Sequence, residues 1–223
     1  MSYCVAIDGP AGAGKSTIAK KIAKQMGLVY VDTGAMYRAL ALFMIRNGIA
    51  TDDLESMNTR CEEADITIRY ENGEQVVYLN GENVNAYLRT EEVGNMASVS
   101  STQPNVRKKL VSLQKELAKT TDVIMDGRDI GTCVLPDADV KIYLTADSAV
   151  RAKRRYDELT AKGITCDLDE IEKDIIDRDH RDMTREESPL RQASDAILVD
   201  SSYMTIDEVV ETIIKICEEK RGN

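Results

Sequence analysis

The chain has 223 residues, 29 Lys and Arg against 39 Asp and Glu, and a formal net charge of −10. That length suits one substantial α/β domain with a small insertion, stable without disulfides or metal, while the acidic balance works against nucleic-acid polymers and anionic membranes as partners. Five scattered cysteines without C-x-x-C spacing read as reduced thiols, and no signal segment or membrane-spanning apolar run is visible, so the sequence predicts a cytoplasmic protein and is expected to be the whole mature chain.

The apolar run 3–7 predicts a buried strand, and Gly9-Pro10-Ala11-Gly12-Ala13-Gly14-Lys15-Ser16 after it fits G-x-x-x-x-G-K-[ST]. A helical pattern over 15–26 follows, with Ile18, Ala19, Ile22, Ala23 and Met26 on one face and Gly27 at the C-cap. Strand, glycine loop and helix in this order are what a phosphate-binding loop needs: backbone N–H groups curl round a phosphate at a helix N-terminus, Lys15 neutralises terminal phosphates and Ser16 ligates Mg²⁺. A second strand at 28–31 completes a βαβ unit and brings Asp8 and Asp32 to the carboxyl edge of the sheet, where ligands bind.

Met36, Ala39, Leu40, Phe43 and Met44 mark the next helix, closed by Asn47-Gly48, with Tyr37 and Arg38 in its first turns. Position alone leaves Arg38 open between the binding edge and a solvated outer face. A short helix over 53–63 follows, capped by Asp52 or Asp53. The period then changes to two: Ile66, Ile68 and Tyr70 alternate with polar residues, Asn72-Gly73 supplies a turn, and 76–79 resumes before Asn80-Gly81, which predicts an antiparallel meander inserted between βα units over about 62–100. Thr90 caps a helix that carries Ser98, and Pro104 opens another with Val106, Leu110, Leu113 and Leu117 on its apolar face and Arg107 off it.

Val123-Ile124-Met125-Asp126 is an apolar strand ending in an acid, the arrangement that places a carboxylate beside Mg²⁺, and Gly127-Arg128-Asp129 is either an ordinary turn or a functional loop at that strand end. A strand at 140–144 leads to a helix with the basic cluster Arg151, Lys153, Arg154 and Arg155. The helix at about 168–182 runs into Arg178, Asp182 and Arg185 on one face, a pattern open to mutual salt bridges or to clamping a charged ligand; His180 is the only histidine and lacks a paired nucleophile. The strand 196–200 and the capping box Thr205-x-x-Glu208 before a last helix complete five core strands with helices between.

Together, IDGPAGAGKST, DTGAMYR, TEEVGNMAS, VIMDGRDIGTCVLPDADVKIYL and RDHRDMTREESPL resemble the bacterial cytidylate kinase family over nearly the whole chain, with Cys133 in GTC a departure that touches no contact residue. The resemblance implies an α/β P-loop fold: a five-stranded parallel sheet with helices on both faces, a core of 1–61 and 101–223, a nucleoside-monophosphate-binding insertion at about 62–100 and a short helical lid at about 151–166. It implies ATP contacts at Gly9, Pro10, Ala11, Gly12, Ala13, Gly14, Lys15, Ser16, Thr17 and Arg154. Mg²⁺ would meet Ser16, with Asp32 and Asp126 as acids acting through water. In the acceptor site, Thr33 and Tyr37 would line the CMP pocket, Arg38 and Arg128 would hold its phosphate, Ser98, Arg107 and Asp129 would read cytosine, Arg178 and Asp182 would hold the sugar, and Arg185 would reach the phosphates. The implied reaction is phosphoryl transfer from ATP to CMP or dCMP with Lys15, Arg38, Arg128 and Arg185 as the catalytic cations, in a chain that nothing requires to be more than a monomer.

Overall fold

The predicted alternation of short apolar runs with helical patterns yields one parallel sheet and one small antiparallel sheet in the computed structural model, which describes residues 2–222. In chain order the elements are β1 (Cys4–Asp8), α1 (Lys15–Met26), β2 (Val29–Asp32), α2 (Thr33–Arg46), α3 (Leu54–Arg60), β3 (Ile66–Glu71), β4 (Glu74–Leu79), β5 (Glu82–Asn83), α4 (Glu91–Ser100), α5 (Pro104–Ala118), β6 (Val123–Gly127), β7 (Val140–Thr145), α6 (Ser148–Ala161), α7 (Leu168–Thr184), β8 (Ile197–Asp200) and α8 (Ile206–Arg221). The large sheet has the order β2-β6-β1-β7-β8, and β1 pairs in parallel with both β6 and β7. Central β1 is apolar up to its terminal Asp8 because both faces are covered, and Val5, Ala6 and Ile7 are fully buried. At the edge, β8 leaves Ile197 and Leu198 exposed.

Contacts divide the chain into two units, Tyr3–Val29 with the chain from Asp122 onward, and Tyr30–Thr121 with Ser2. In the first unit α1 packs on β6 and α8, and α6 packs along α7. Here β1 ends in a turn that only glycine fits. Gly9 has φ 151°, and a Cβ built on it would stand 1.9 Å from the Leu144 carbonyl oxygen of β7. Gly14, at φ 82°, starts α1 with no side-chain cap, so the first N–H groups of that helix stay available to a ligand.

In the second unit the turns between strands follow their sequences. Asn72-Gly73 and Asn80-Gly81 both take positive φ at each residue, the geometry of two-residue hairpin turns, and set β3, β4 and β5 in antiparallel register. The helix α2 starts at Thr33 with no intervening loop, because the Asp32 carboxylate accepts from the Ala35 N–H as its cap. One reading is corrected in α5. Its buried face is Val106, Arg107, Leu110, Gln114 and Ala118, while Leu113 and Leu117 are only half-buried, because the polar side chains of Arg107 and Gln114 project inward.

Gly9→Ala is expected to destabilise the protein by on the order of 3 kcal/mol, since the new methyl meets a backbone carbonyl that cannot rotate away. Urea denaturation against Gly14→Ala, whose Cβ meets nothing within 4 Å, checks it: a smaller loss at Gly9 contradicts the steric reading.

Candidate active site

The first unit gathers charge at the carboxyl ends of its strands. Lys15 is buried and donates its Nζ to the Pro10 carbonyl at 2.6 Å, folding the loop lysine back along the loop. Burial draws its pKa well below the ordinary lysine value and Arg128 adds to that, while Asp126, Asp182 and Asp8 act to restore the charge. Ser16 Oγ donates to Asp126 Oδ2 at 2.9 Å, so the loop hydroxyl and the acid at the end of β6 already touch. Two such oxygen groups at a helix N-terminus fit a hard divalent cation shared with nucleotide phosphates. Among the described residues no cluster of three or more His, Cys, Asp or Glu forms a cage of its own.

A buried ion pair grips the glycine loop from outside. Arg151 in α6 donates Nη1 to the Ala11 carbonyl at 2.8 Å and to Asp179 Oδ2 at 2.6 Å, and Asp179 Oδ1 accepts from the Ala11 N–H at 3.1 Å. Both groups of the Ala11 peptide are therefore fixed by side chains from α6 and α7. The sequence did not mark this pair. The available signal was an acid on an apolar stripe, since Ile175, Asp179 and Asp182 are the buried residues of α7 at spacings of four and three.

Four residues, Arg128 and Asp129 of the DGRD loop with Asp182 and Arg185 at the C-terminal end of α7, form a second cluster. Arg128 Nε donates to Asp182 Oδ2 at 2.7 Å, and the largely buried Arg185 lies 3.7 Å from Asp129 and 3.8 Å from Asp182 while donating to the Ser188 carbonyl. Burial works against the Arg128 charge, but Asp182 outweighs it and raises the pKa; in turn burial works against ionised Asp182, but Arg128, then Arg185 and Arg178, hold its carboxyl below the usual range. This helix face carries internal ion pairs, with Arg178 half-buried beside them.

The rest of the basic run, Lys153, Arg154 and Arg155, is exposed along α6. Lys153 pairs with Asp157 and Arg155 with Glu158 along α6, and Arg154 donates to the Ser201 carbonyl at 2.7 Å. Acids one turn away screen these cations. His180 is exposed.

Asp8, at the end of β1, is buried. Its two carboxylate oxygens accept the backbone N–H groups of Ile130 and Gly131, each at 2.7 Å. Burial pushes its pKa up to about 6 despite those two bonds and Lys15.

The second unit holds the other predicted residues. The end of β2 is fixed by side chains of its own unit: Gln75 brackets the Asp32 peptide through both N–H and carbonyl, Arg89 pairs with Asp32 at 2.7 Å, and the Tyr70 hydroxyl donates to the Tyr30 carbonyl. Asp32 thus spends one carboxylate oxygen on the helix cap and the other on Arg89, whereas Asp126 is the acid that touches Ser16. Thr33 is buried at the start of α2, and Arg38 brings Nη1 to where a Gly34 Cβ would be crowded at 3.1 Å. Arg107 lies over the Tyr37 ring at 5.7 Å and donates to the Ser101 carbonyl, so its burial is explained by packing and a hydrogen bond rather than by solvation. Ser98 Oγ is buried and has no hydrogen-bond partner among the described residues.

The raised pKa of Asp8 sets a pH dependence. The protonated form is favoured by folding, so the stability this group contributes is full below pH 4 and is lost as pH rises through 6, a swing of about 3 kcal/mol. Denaturant titrations at pH 4 and pH 7 are expected to show the stability of Asp8→Asn gaining about that much relative to wild type as pH rises; a constant difference contradicts the burial argument.

The chain matches the family model described as Cytidylate kinase over residues 5–219. The cytidylate kinase of Lactobacillus gasseri is 50% identical over 219 residues, covering 98% of this chain and 95% of the relative, and that of Listeria innocua is 47% identical over 221 residues, covering 99% and 98%. In fold, a crystal structure of an uncharacterized protein from Eubacterium ventriosum superposes with a TM-score of 0.53 at 12% identity, covering 97% of this chain and 99% of that one. With a phosphate-binding loop, an acid on its serine and buried arginine–carboxylate pairs in place, the full-length match decides the family: this chain belongs to the cytidylate kinases.

Proposed function

We propose that the chain transfers the γ-phosphoryl group of ATP to CMP or dCMP, giving ADP and CDP or dCDP. The observation that carries this reading is the full-length match to cytidylate kinases at about half identity, on a chain whose loop lysine, loop serine and strand-end acid are already assembled. ATP would lie along Gly9–Thr17, with Lys15 on the terminal phosphates and Arg154 joining by exchanging its bond to Ser201. Ser16 and Asp126 would hold Mg²⁺, which supplies neutralisation of the β- and γ-phosphate charge when bound with ATP. The lid would span about 151–166, beginning at Arg151, whose guanidinium donates to the Ala11 carbonyl.

For the acceptor, Thr33 and Tyr37 would line the CMP pocket, Arg38, Arg128 and Arg185 would hold phosphate, and Arg178 and Asp182 the sugar. Ser98 and Arg107 would meet the base, and Asp129 would accept from its exocyclic amine. A carboxylate acceptor attracts the cytosine amine and repels the uracil carbonyl, so one residue supplies both the attraction and the rejection. An acceptor phosphate oxygen is anionic already and needs no general base. Catalysis then consists of alignment and charge neutralisation by Lys15, Arg38, Arg128 and Arg185. The protein is read as a cytoplasmic monomer without nucleic-acid or membrane partners; no helix among the described residues is long and apolar enough to cross a membrane.

A coupled assay of ADP release is expected to rank CMP and dCMP above UMP, AMP and GMP, and equal rates across the five would overturn the assignment. In the same assay Lys15→Met should lose about 10²–10³-fold in turnover with every acceptor. Asp129→Ala should lower the CMP-to-UMP ratio of kcat/KM by about 10–100-fold, the worth of one charge-assisted hydrogen bond; a retained ratio removes Asp129 from base reading.

A further inference from the structure

The turn that follows Arg128-Asp129 is short, one irregular helical turn over Ile130–Val134, closed by the Cys133 and Val134 N–H groups on the Asp129 carbonyl. Its first N–H groups, those of Ile130 and Gly131, have no acceptor within the turn, and a residue at the cap position normally supplies one from its own side chain. Asp129 occupies that position and makes no capping hydrogen bond. The acceptor comes from 122 residues earlier: the Asp8 carboxylate takes both N–H groups, one on each oxygen, at equal distances of 2.7 Å. The approach depends on Gly131, where a Cβ would stand 3.4 Å from Asp8 Oδ2 and 3.2 Å from Lys141 Cδ. Asp8 is itself held by the chain on either side, through the β1–β6 register that sets it opposite Gly127 and through Gly9, locked against the Leu144 carbonyl.

We propose that Asp8 is a positioning residue for the acceptor side of the reaction: by capping the 130–134 turn in place of Asp129, it keeps the Asp129 carboxylate turned to the cytosine base and fixes Arg128 at a set distance from the phosphate-binding loop that begins at Gly9. This rests on the assignment of Arg128 and Asp129 to the acceptor. Its physical content is a competition. When Asp8 loses one of its acceptor oxygens, the nearest alternative cap for Ile130 and Gly131 is Asp129, and a carboxylate that caps its own turn no longer faces a ligand. The donor loop is covalently next to Asp8 but takes its shape from Gly9 and from the Arg151–Asp179 grip on Ala11, so the effect falls on the acceptor.

The test compares Asp8→Asn with wild type in steady-state kinetics against ATP, CMP and UMP, with thermal melts to confirm folding. Asparagine keeps one acceptor oxygen and sets an amide donor against the other N–H. The expected result is a rise in KM for CMP of about 10-fold and a similar fall in the CMP-to-UMP ratio of kcat/KM, with KM for ATP within about twofold of wild type. Gly131→Ala, which pushes the same turn away from the carboxylate, should give the same split, and it decides the question if Asp8→Asn does not fold. An unchanged KM for CMP, or a KM for ATP that rises as far as that for CMP, overturns the proposal in favour of a structural acid. Asp129→Ala run beside them separates the two claims: if it stays selective, the base-reading assignment fails and Asp8 is judged on the acceptor KM alone.

Discussion

Burying an ionised side chain costs several kcal/mol unless an opposite charge or a full set of hydrogen bonds stands beside it. At the carboxyl ends of β1 and β6 and along the facing parts of α6 and α7, the chain buries Asp8, Lys15, Asp126, Asp129, Arg151, Asp179 and Asp182 together. Five of the seven have a direct partner against that cost. Asp179 has Arg151, Asp182 has Arg128, Asp126 has the Ser16 hydroxyl, and Asp8 has two backbone N–H groups. Removing any one member leaves its partner buried and uncompensated, so these groups fix one another's geometry. That mutual fixing is what a phosphoryl-transfer site needs, because its catalytic groups act by standing in place.

The large features of the fold were legible because they depend on local rules. Apolar runs of five residues became central strands, Asn-Gly pairs became two-residue turns, and Thr205 with Glu208 became the capping box that the spacing announces. What was missed depends on partners far away in sequence. Arg107 and Gln114 break the apolar pattern of α5, so periodicity assigned the stripe to Leu113 and Leu117; Arg107 is inside because the Tyr37 ring and the Ser101 carbonyl receive it. The strand β5 is two residues long and carries no periodic signal at all. The compact unit that holds the meander runs from Tyr30 to Thr121, with α2 packed on α4 and α5.

The candidate site divides along the same line. Lys15, Ser16 and Asp126 were readable from spacing, since the loop motif and a strand-end acid are local signals, and the structure brings the serine and the acid into contact. The basic run in α6 was read as a unit, yet its members have unlike surroundings: Arg151 is buried in the grip on Ala11, Lys153 and Arg155 are screened by acids of their own helix, and Arg154 is turned to Ser201. A helix turns about 100° per residue, so consecutive cations cannot share one environment. Asp32 and Asp126 are equivalent in sequence, each an acid at the end of an apolar strand. They differ because Arg89 and the Ala35 N–H, neither predictable from the strand, occupy Asp32.

Lysine and arginine are not interchangeable in this setting. Lys15 lies in a buried place where Arg128 opposes its charge, and its pKa falls; Arg128 suffers the same burial yet stays charged, because Asp182 binds its guanidinium directly. A guanidinium holds its proton through such desolvation and offers fixed donors to a carboxylate and a phosphate at once, whereas an ammonium responds to the charge brought next to it. A triphosphate at the loop would favour the charged form of Lys15, as Asp126, Asp182 and Asp8 already do, while Arg128 of the DGRD loop is paired with Asp182 of α7 in the protein itself. On the proposed assignment the lysine would meet the donor phosphates and the arginines the acceptor phosphate, so each kind of cation would stand where its chemistry suits a site that works by alignment and charge neutralisation.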